Sequence, residues 1–429
     1  MTALGKSALP QRAWRELETI GNADIVVGVP SYNCAQTINY VVYQAARGLE
    51  EHFSDLKALI LVSDGNSTDG TLKVVKAMRT PGQAKIVATR YVGVPGKGTA
   101  LRAVFEAASF LDADGIAVVD SDLRSITPEW IRLLISPTLR ERAGLVTPLY
   151  LRHKYDGTIT NFVCYPFTCS LYGKRVRQPI GGDFGLSKEL VETLLTSPLW
   201  STTYVPGFGI DIFETHHALA RGFLVKQAFL GSKIHETKDP SRQLALMFMS
   251  VAGSMFCCME SFEDVWKPIQ GSQPVEVIRG EIEPGSPEPV RVSPHDLIKA
   301  HKAGFHVNRN VYGRVLSRKL LREIENLQKA SASQFVFPSE AWAKMMYSFA
   351  GAFRREKDGG ARRVLLDALR VLWMGRVASF ILETLELSGE EAEEKIQREA
   401  RVFEDIKPYL LDVYQNGFQN EASSTTSLF

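Results

Sequence analysis

The stretch GIAVVDSDL, Gly115 to Leu123, decides how the chain folds. Its apolar part, Gly115 to Val119, is too short for a core helix and rich in β-branched residues, so it reads as a buried strand. The strand delivers Asp120, Ser121 and Asp122 at its carboxyl end, the edge where open α/β sheets bind ligands. Two carboxylates on one strand tip cannot satisfy each other, and they favour a hard divalent cation whose shell a polyanion would complete. An aspartate in that place can also be a turn or cap residue. The helix that follows, EWIRLL, already has Ser125 to Pro128 ahead of it for capping.

Outward from this strand the same device recurs. The run DIVVGVP at residues 24–30 is a second buried strand, followed by a predicted helix from Ala35 to Leu49. LKALILVSDGNSTDGT, LKVVKAMR and KIVATRY then read as strand, polar loop, helix and strand. Such alternation predicts parallel strands with crossover helices. Residues 24–272 are therefore expected to form a Rossmann-like α/β nucleotide-binding layer, preceded by a helical segment over 1–23. Residues 273–294 hold five prolines and few large apolar side chains, the composition of a linker or an extended wrapping segment. Apolar residues at helical spacing fill 295–420, an all-helical region, and 421–429 reads as a frayed tail.

The 429 residues correspond to two or three packed units at ~150 residues each. With 45% hydrophobic and 23% charged residues, long-range disorder, collagen-like repetition and a small disulfide framework are excluded. Fifty basic against forty-eight acidic side chains leave +2, so no global field steers the chain to nucleic acid or to an acidic membrane. Cys34, Cys164, Cys169, Cys257 and Cys258 show no CxxC spacing, which suits a reducing compartment. The first twenty residues lack a secretory apolar core, and the uncharged run Leu244 to Met259 has 16 residues against the ~20 that span hydrocarbon. That run is expected to be a buried helix in a cytoplasmic protein with no membrane partner.

Several loops carry candidate chemistry. Val94 to Leu101, VPGKGTAL, sets Lys97 between glycines at a helix start, where free amides and an ammonium could converge on phosphate, although the Walker spacing is absent. Ser63 to Thr71, SDGNSTDGT, is rich in groups that bond ribose and base edges and equally in turn formers. Gln178 to Asp183, QPIGGD, offers bare backbone beside a carboxylate, suited to a polyhydroxylated ligand or to a plain tight turn. Pro206 to Asp211 places an acid on entry to a helix, where it also favours the macrodipole. His235, closing the strand-like run GSKIH, is the best imidazole ligand. His216 and His217 lie on neighbouring helix faces and read as structural.

In this order, VGVPSYN, SDGNSTDGT, PGKGTAL, VVDSDL, QPIGGDFGLSKEL, PGFGIDIF and IHETKDP resemble the GT-A glycosyltransferases that make mannosylglycerate, glucosylglycerate and glucosyl phosphoglycerate. The resemblance runs from Asp24 to Pro240. It implies a retaining transferase moving glucose or mannose from a GDP- or UDP-linked donor to a small hydroxy acid. By the same resemblance, Pro30, Ser31, Tyr32, Asn33, Asp64 and Gly65 line the nucleoside pocket, with Asp120 and Ser121 near the ribose, and Lys97 meets the diphosphate. Asp122 and His235 hold a divalent metal, Mg²⁺ or Mn²⁺. Ile180, Gly181, Gly182 and Asp183 face the donor sugar. Asp211 and Asp183 are the catalytic candidates, and Arg152, Thr160 and Asp211 the acceptor contacts.

The phosphoglycerate branch carries an arginine where this chain has Thr158 and an asparagine where it has Thr237. Losing that cation favours free D-glycerate over a phosphorylated acceptor, although His153, Lys154 or Lys174 could restore the charge. No side chain stands out as a covalent nucleophile, which favours front-face substitution. Competing expectations are an inverting polymerising or lipid-linked transferase, a nucleotidyltransferase using Asp120 and Asp122 for two metals, and a non-catalytic nucleotide-sugar module. The helical region either packs on the catalytic layer or forms a homodimer contact.

Overall fold

The computed structural model describes residues 7–235 and 240–417. The tail 421–429 and Thr237 lie outside the described residues. Two compact units are built from interleaved segments: 1–152, 175–258 and 273–288 in the first, and 153–174, 259–272 and 289–429 in the second. This partition differs from the contiguous 24–272, 273–294 and 295–420 division expected from composition, because a linear reading cannot see that residues 153–174 join the helical unit. The expected N-terminal segment contributes one helix, Gln11–Ile20, to the first unit.

The first unit is an eight-stranded sheet: β1 (Ile25–Ser31), β2 (Ala58–Asp64), β3 (Lys85–Arg90), β4 (Gly115–Val118), β5 (Leu145–Leu151), β6 (Phe184–Ser187), β7 (Val225–Ser232) and β8 (Val277–Ile278). Their order is β8-β7-β5-β6-β4-β1-β2-β3. Every pairing is parallel except those of β6, which runs antiparallel to β4 and β5. The central strands β1 and β4 are buried on both faces, which explains their continuous Val/Ile/Ala runs in place of alternation. Helices Ile38–Phe53 and Pro128–Arg140 cover the face whose core includes Val27, Val29, Ile60, Val62, Trp130 and Leu134.

The one antiparallel strand was not legible in the βαβ pattern, and it positions the site. Val118 pairs with Phe184, so Asp183, one residue before β6, arrives at the same sheet edge as Asp120, two residues after β4. The proline-rich segment is not a free linker. Val277 and Ile278 pair with Gln227 and Ala228, and the Gln227 amide N–H donates to the Glu276 carbonyl at 2.9 Å, adding an edge strand to the sheet.

The second unit is helical: Tyr165–Tyr172, Pro294–Val315, Arg318–Lys329, Ser339–Arg355, Gly359–Glu383, Gly389–Asp405 and Lys407–Asn416. Its core is aromatic, with Phe162, Phe167, Trp342, Tyr347, Phe380 and Phe403 buried. The Trp342 indole N–H donates to the Phe162 carbonyl at 2.9 Å, tying segment 153–174 to this unit. A buried Arg376 guanidinium bonds Glu399 through Nε at 3.1 Å and Nη2 at 2.8 Å, the paired geometry that makes a buried charge tolerable.

The helix Pro240–Ser261 contains the expected buried run. Its stretch Leu244–Ser261 is long and apolar enough to cross a membrane, and 56% of that stretch is buried inside the protein. No disulfide joins any of the five cysteines, all of which are buried.

Gly185 in β6 tests this packing. A Cβ there would lie 1.9 Å from the Leu134 carbonyl oxygen of the covering helix. Gly185→Ala is expected to cost about 1–3 kcal/mol, read as a lowered urea midpoint at constant slope. An unchanged midpoint would show that the helix does not press on β6 as described.

Candidate functional site

Six strand ends converge on one edge of the sheet. Ser31 closes β1, Asp64 closes β2, Asp120 and Asp122 follow β4, and Tyr150 lies near the end of β5, with Arg152 after it. Asp183 precedes β6, and Lys233 and His235 follow β7.

Lys97 is brought to this edge by backbone bonds between two glycine loops. The Gly98 N–H donates to the Gly207 carbonyl at 2.9 Å and the Thr99 N–H to the Pro206 carbonyl at 3.0 Å. A Cβ on Gly98 would sit 1.9 Å from the Val205 carbonyl oxygen, so the loops could not close on any larger residue. This corrects the expectation that free amides of the PGKGT loop receive phosphate. Those of Gly98 and Thr99 are already used, and the Lys97 ammonium is what the loop presents.

Around that ammonium the charges form one network. Lys97 Nζ lies 2.9 Å from Asp120 Oδ1 and 3.2 Å from Asp211 Oδ1, and it donates to the Gly182 carbonyl at 3.2 Å. Lys233 Nζ donates to Asp120 Oδ2 at 2.8 Å, to Asp183 Oδ2 at 2.8 Å and to the Gly181 carbonyl at 2.9 Å. Asp183 also accepts the Asp120 N–H at 2.7 Å and the Tyr150 hydroxyl. Two ammonium groups are thus shared among three carboxylates that are largely shielded from solvent. Gly182, at φ +95°, is required here, because a Cβ would meet Asp120 Oδ2 at 2.3 Å.

The titration shifts follow from this arrangement. Burial works against both ammoniums, yet Asp120 outweighs it and holds Lys97 and Lys233 above the ordinary lysine range, with Asp211 helping at Lys97 and Asp183 at Lys233. Asp120 is likewise disfavoured by burial, but Lys233 and Lys97 hold it well below the usual carboxylate range. Asp183 and Asp211 go the other way: burial raises both, against the pull of Lys233 and Lys97 respectively.

Asp122 and His235 come from segments distant in sequence and neighbouring in space. Leu123 and His235 form an antiparallel bridge, the Arg124 N–H donates to the Ile234 carbonyl at 2.8 Å, and the Ile234 N–H donates to Ser125 Oγ at 3.0 Å. Asp122 is 8% exposed and His235 half-buried. One carboxylate and one imidazole suit Mg²⁺ or Mn²⁺ when phosphate oxygens and water complete the shell. Among the described residues no group of three or more His, Cys, Asp or Glu could hold a metal by itself.

The loop after β1 is braced by the loop after β2. Ser31 Oγ donates to Asp64 Oδ2 at 3.2 Å, the Ser67 N–H to Asp64 Oδ1 at 2.9 Å, the Asn33 N–H to Ser67 Oγ at 2.8 Å and the Thr68 N–H to Asn33 Oδ1 at 2.9 Å. Asp64 has no exposed surface, so it shapes this loop from beneath instead of lining it. Pro30 and Gly65 take part as backbone, with the Gly65 N–H donating to the Ser31 carbonyl at 2.8 Å. Tyr32, 63% exposed, is the side chain this loop presents. Ser121 is buried, and its carbonyl accepts the Thr37 hydroxyl at 2.9 Å.

Arg152 donates from Nε to Gln178 Oε1 at 3.2 Å and lies over the Tyr150 ring. Ile180 precedes the Gly181-Gly182 pair whose carbonyls hold the two lysines. Thr160 is buried at the start of a π-helical turn in the second unit. His217 bonds Ser197 Oγ and the Phe213 carbonyl, both at 3.0 Å, and burial lowers His216 to about 3 and His217 to about 4. Both histidines are buried, in keeping with the structural role expected of them. Lys233 and Tyr150 were missed in the sequence. The only signal for Lys233 is one lysine directly after the apolar run that ends at Ser232, two residues before His235.

Residues 26–180 match the family model described as Glycosyl transferase family 2. No curated protein matches the chain in sequence. The glucosyl-3-phosphoglycerate synthase of Mycobacterium tuberculosis, in complex with Mn²⁺, UDP-glucose and phosphoglyceric acid, is 26% identical over 59% of this chain and 85% of its own, at a TM-score of 0.44. The same enzyme with Mg²⁺ and UDP is 25% identical over 60% of this chain and 85% of its own, at 0.43.

Lys233→Met would leave Asp120 and Asp183 facing each other in a buried place with one cation fewer. A loss of about 3–5 kcal/mol is expected in urea melts, with Asp183→Asn added to Lys233→Met recovering part of it. A single variant as stable as the parent would show that Lys233 does not neutralise the pair. The match to family 2 glycosyltransferases covers residues 26–180, and most of it lies on the Rossmann-like α/β layer, the GT-A arrangement of a glycosyltransferase.

Proposed function

We propose that the chain transfers glucose or mannose from a GDP- or UDP-linked donor to D-glycerate, retaining the anomeric configuration. The observation that carries this reading is the pair of ammonium groups, Lys97 and Lys233, largely shielded from solvent at the sheet edge beside the Leu123–His235 bridge that brings Asp122 near His235. Such a place suits a group that arrives with two phosphates and leaves with more negative charge than it brought. Asp122 and His235 would hold a divalent cation, which when bound supplies positive charge to the diphosphate.

The chain's own residues do the rest. Tyr32 offers an exposed ring for the base, and the loop braced by Asp64 fixes where that ring stands. Lys97 exchanges part of its contact with Asp120 and Asp211 for phosphate oxygens. The Gly181-Gly182 backbone permits close approach of the sugar. Every oxygen of Asp183 is engaged by Asp120, Lys233 or Tyr150, so this residue positions Asp120 and is not free to attack the sugar carbon. With Asp183 engaged in this way and Asp211 turned to the acceptor, the hydroxyl of the acceptor enters on the face from which the phosphate departs. The departing phosphate oxygen takes the acceptor proton, and Asp211 orients the acceptor.

The preference for the free acid rests on how the candidate cations are used. Lys154 Nζ donates to the Thr384 carbonyl at 2.7 Å, to that of Leu385 at 3.3 Å and to that of Leu387 at 2.7 Å, which occupies all three of its protons. Burial, with the neighbouring Lys154 charge, lowers His153 and so works against its carrying a charge. Neither supplies the charge lost with Thr158, and Arg152 suits a single carboxylate.

The test is a metal-supplemented matrix crossing GDP-glucose, GDP-mannose and UDP-glucose with D-glycerate and 3-phosphoglycerate. D-Glycerate should exceed the phosphorylated acceptor in kcat/KM by roughly tenfold or more, the worth of one charge-assisted contact. A preference for 3-phosphoglycerate would overturn the acceptor assignment. Pyrophosphate release from a nucleoside triphosphate and a sugar phosphate would overturn the reaction class. In the same assay Asp211→Asn is expected to cut turnover on the order of 10²-fold with little change in donor affinity. Equal loss of both would return Asp211 to a structural role.

A further inference from the structure

Glu214 lies three residues after Asp211 on the helix Ile210–Ala220, the spacing that puts two side chains on one face with Cβ atoms about 5–6 Å apart. It has no exposed surface, and neither carboxyl oxygen has a hydrogen-bond partner. Asp211 Oδ1 is also buried without a hydrogen bond, although the Lys97 ammonium lies 3.2 Å away. One turn of helix therefore separates a carboxyl with no acceptor from a carboxylate oxygen with an unused acceptor position. A buried polar group left in this state costs desolvation that the resting arrangement does not return, and such groups call for an explanation.

Lys97 supplies one. Its three protons are divided among Asp120, Asp211 and the Gly182 carbonyl, so engaging a diphosphate means leaving one of these. If it leaves Asp211, that carboxylate loses its counter-ion at the moment it is needed. The charges that bear on Glu214 are Asp211 and Lys97; burial first, and then the Asp211 charge, hold its carboxyl well above the usual range, against a weaker pull from Lys97.

Resting on the transferase reading above, we propose that Glu214 is a positioning residue for Asp211: it stays protonated and donates its hydroxyl to Asp211 when Lys97 turns to the donor diphosphate. The proton stays within the pair, and no bond to substrate is made by Glu214.

The test compares Glu214→Gln, whose amide keeps a donor, with Glu214→Leu and Glu214→Met, which have none. Each full-length variant is measured for kcat and KM with the best donor and acceptor pair, for nucleoside diphosphate binding with Mn²⁺ by calorimetry, and for its urea midpoint. The apolar variants should be at least as stable as the parent and bind the diphosphate within about threefold, while kcat falls on the order of 10- to 100-fold. Glu214→Gln should keep kcat within about threefold of the parent, by the smaller worth of a retained donor. An apolar variant with parental kcat would overturn the proposal, as would equal loss in Glu214→Gln and Glu214→Leu. A parent chain that transfers no sugar with any pair would overturn the transferase reading itself, an outcome distinct from both.

Discussion

Two ammonium groups shared among three carboxylates, two of them buried and Asp120 partly so, are the constraint on which the site depends. Lys97 and Lys233 are each held between carboxylates, with Asp120 common to both. Removed from water, none of these charges would be tolerated alone, so the network has to be assembled whole. That requirement explains why so many otherwise unremarkable features of the chain converge on one sheet edge. Ammonium groups neutralised by carboxylates in the resting chain are also ammonium groups that can be handed to phosphate without creating a bare charge.

Assembly is a matter of backbone before it is one of side chains. The antiparallel strand β6 carries Asp183 to the tip of β4, and the extension of β7 carries Lys233 and His235 to the same place. The bonds from Gly98 and Thr99 to Gly207 and Pro206 dock the helix bearing Lys97 against the loop leading to Asp211. Gly98 and Gly182 are needed because side chains there would collide with a carbonyl and with Asp120. Distances of this kind decide whether Lys97 reaches one carboxylate or two.

Much of this was legible in the sequence, and the reasons are physical. Strands β1, β2 and β4 announce themselves as β-branched runs, and Asp120 and Asp122 at the end of one of them mark the edge. Ordered loop motifs singled out Lys97, Asp183, Asp211 and His235 as candidates, and the fold brings them to the same sheet edge. Three things were not legible. The direction of β6 depends on pairing partners, which a four-residue run such as FGLS does not encode. The membership of residues 153–174 in the helical unit depends on distant helices that bury Phe162 and Phe167. The use of the Gly98 and Thr99 amides depends on a loop about a hundred residues away, so a glycine-lysine loop that reads as a phosphate cradle in isolation is partly filled by the chain itself. Asp64 shows the same lesson, since only the fold reveals that its carboxylate is spent on bracing Ser31 and Ser67.

We propose this sheet edge as a metal-assisted diphosphate site. The most direct measurement is an anomalous difference map, at the manganese edge, from a crystal soaked with Mn²⁺ and UDP or GDP. The predicted result is one peak within ligand distance of Asp122 and His235, with the diphosphate between it and Lys97. A peak elsewhere, or a nucleotide bound away from Lys97 with no metal beside His235, would contradict it.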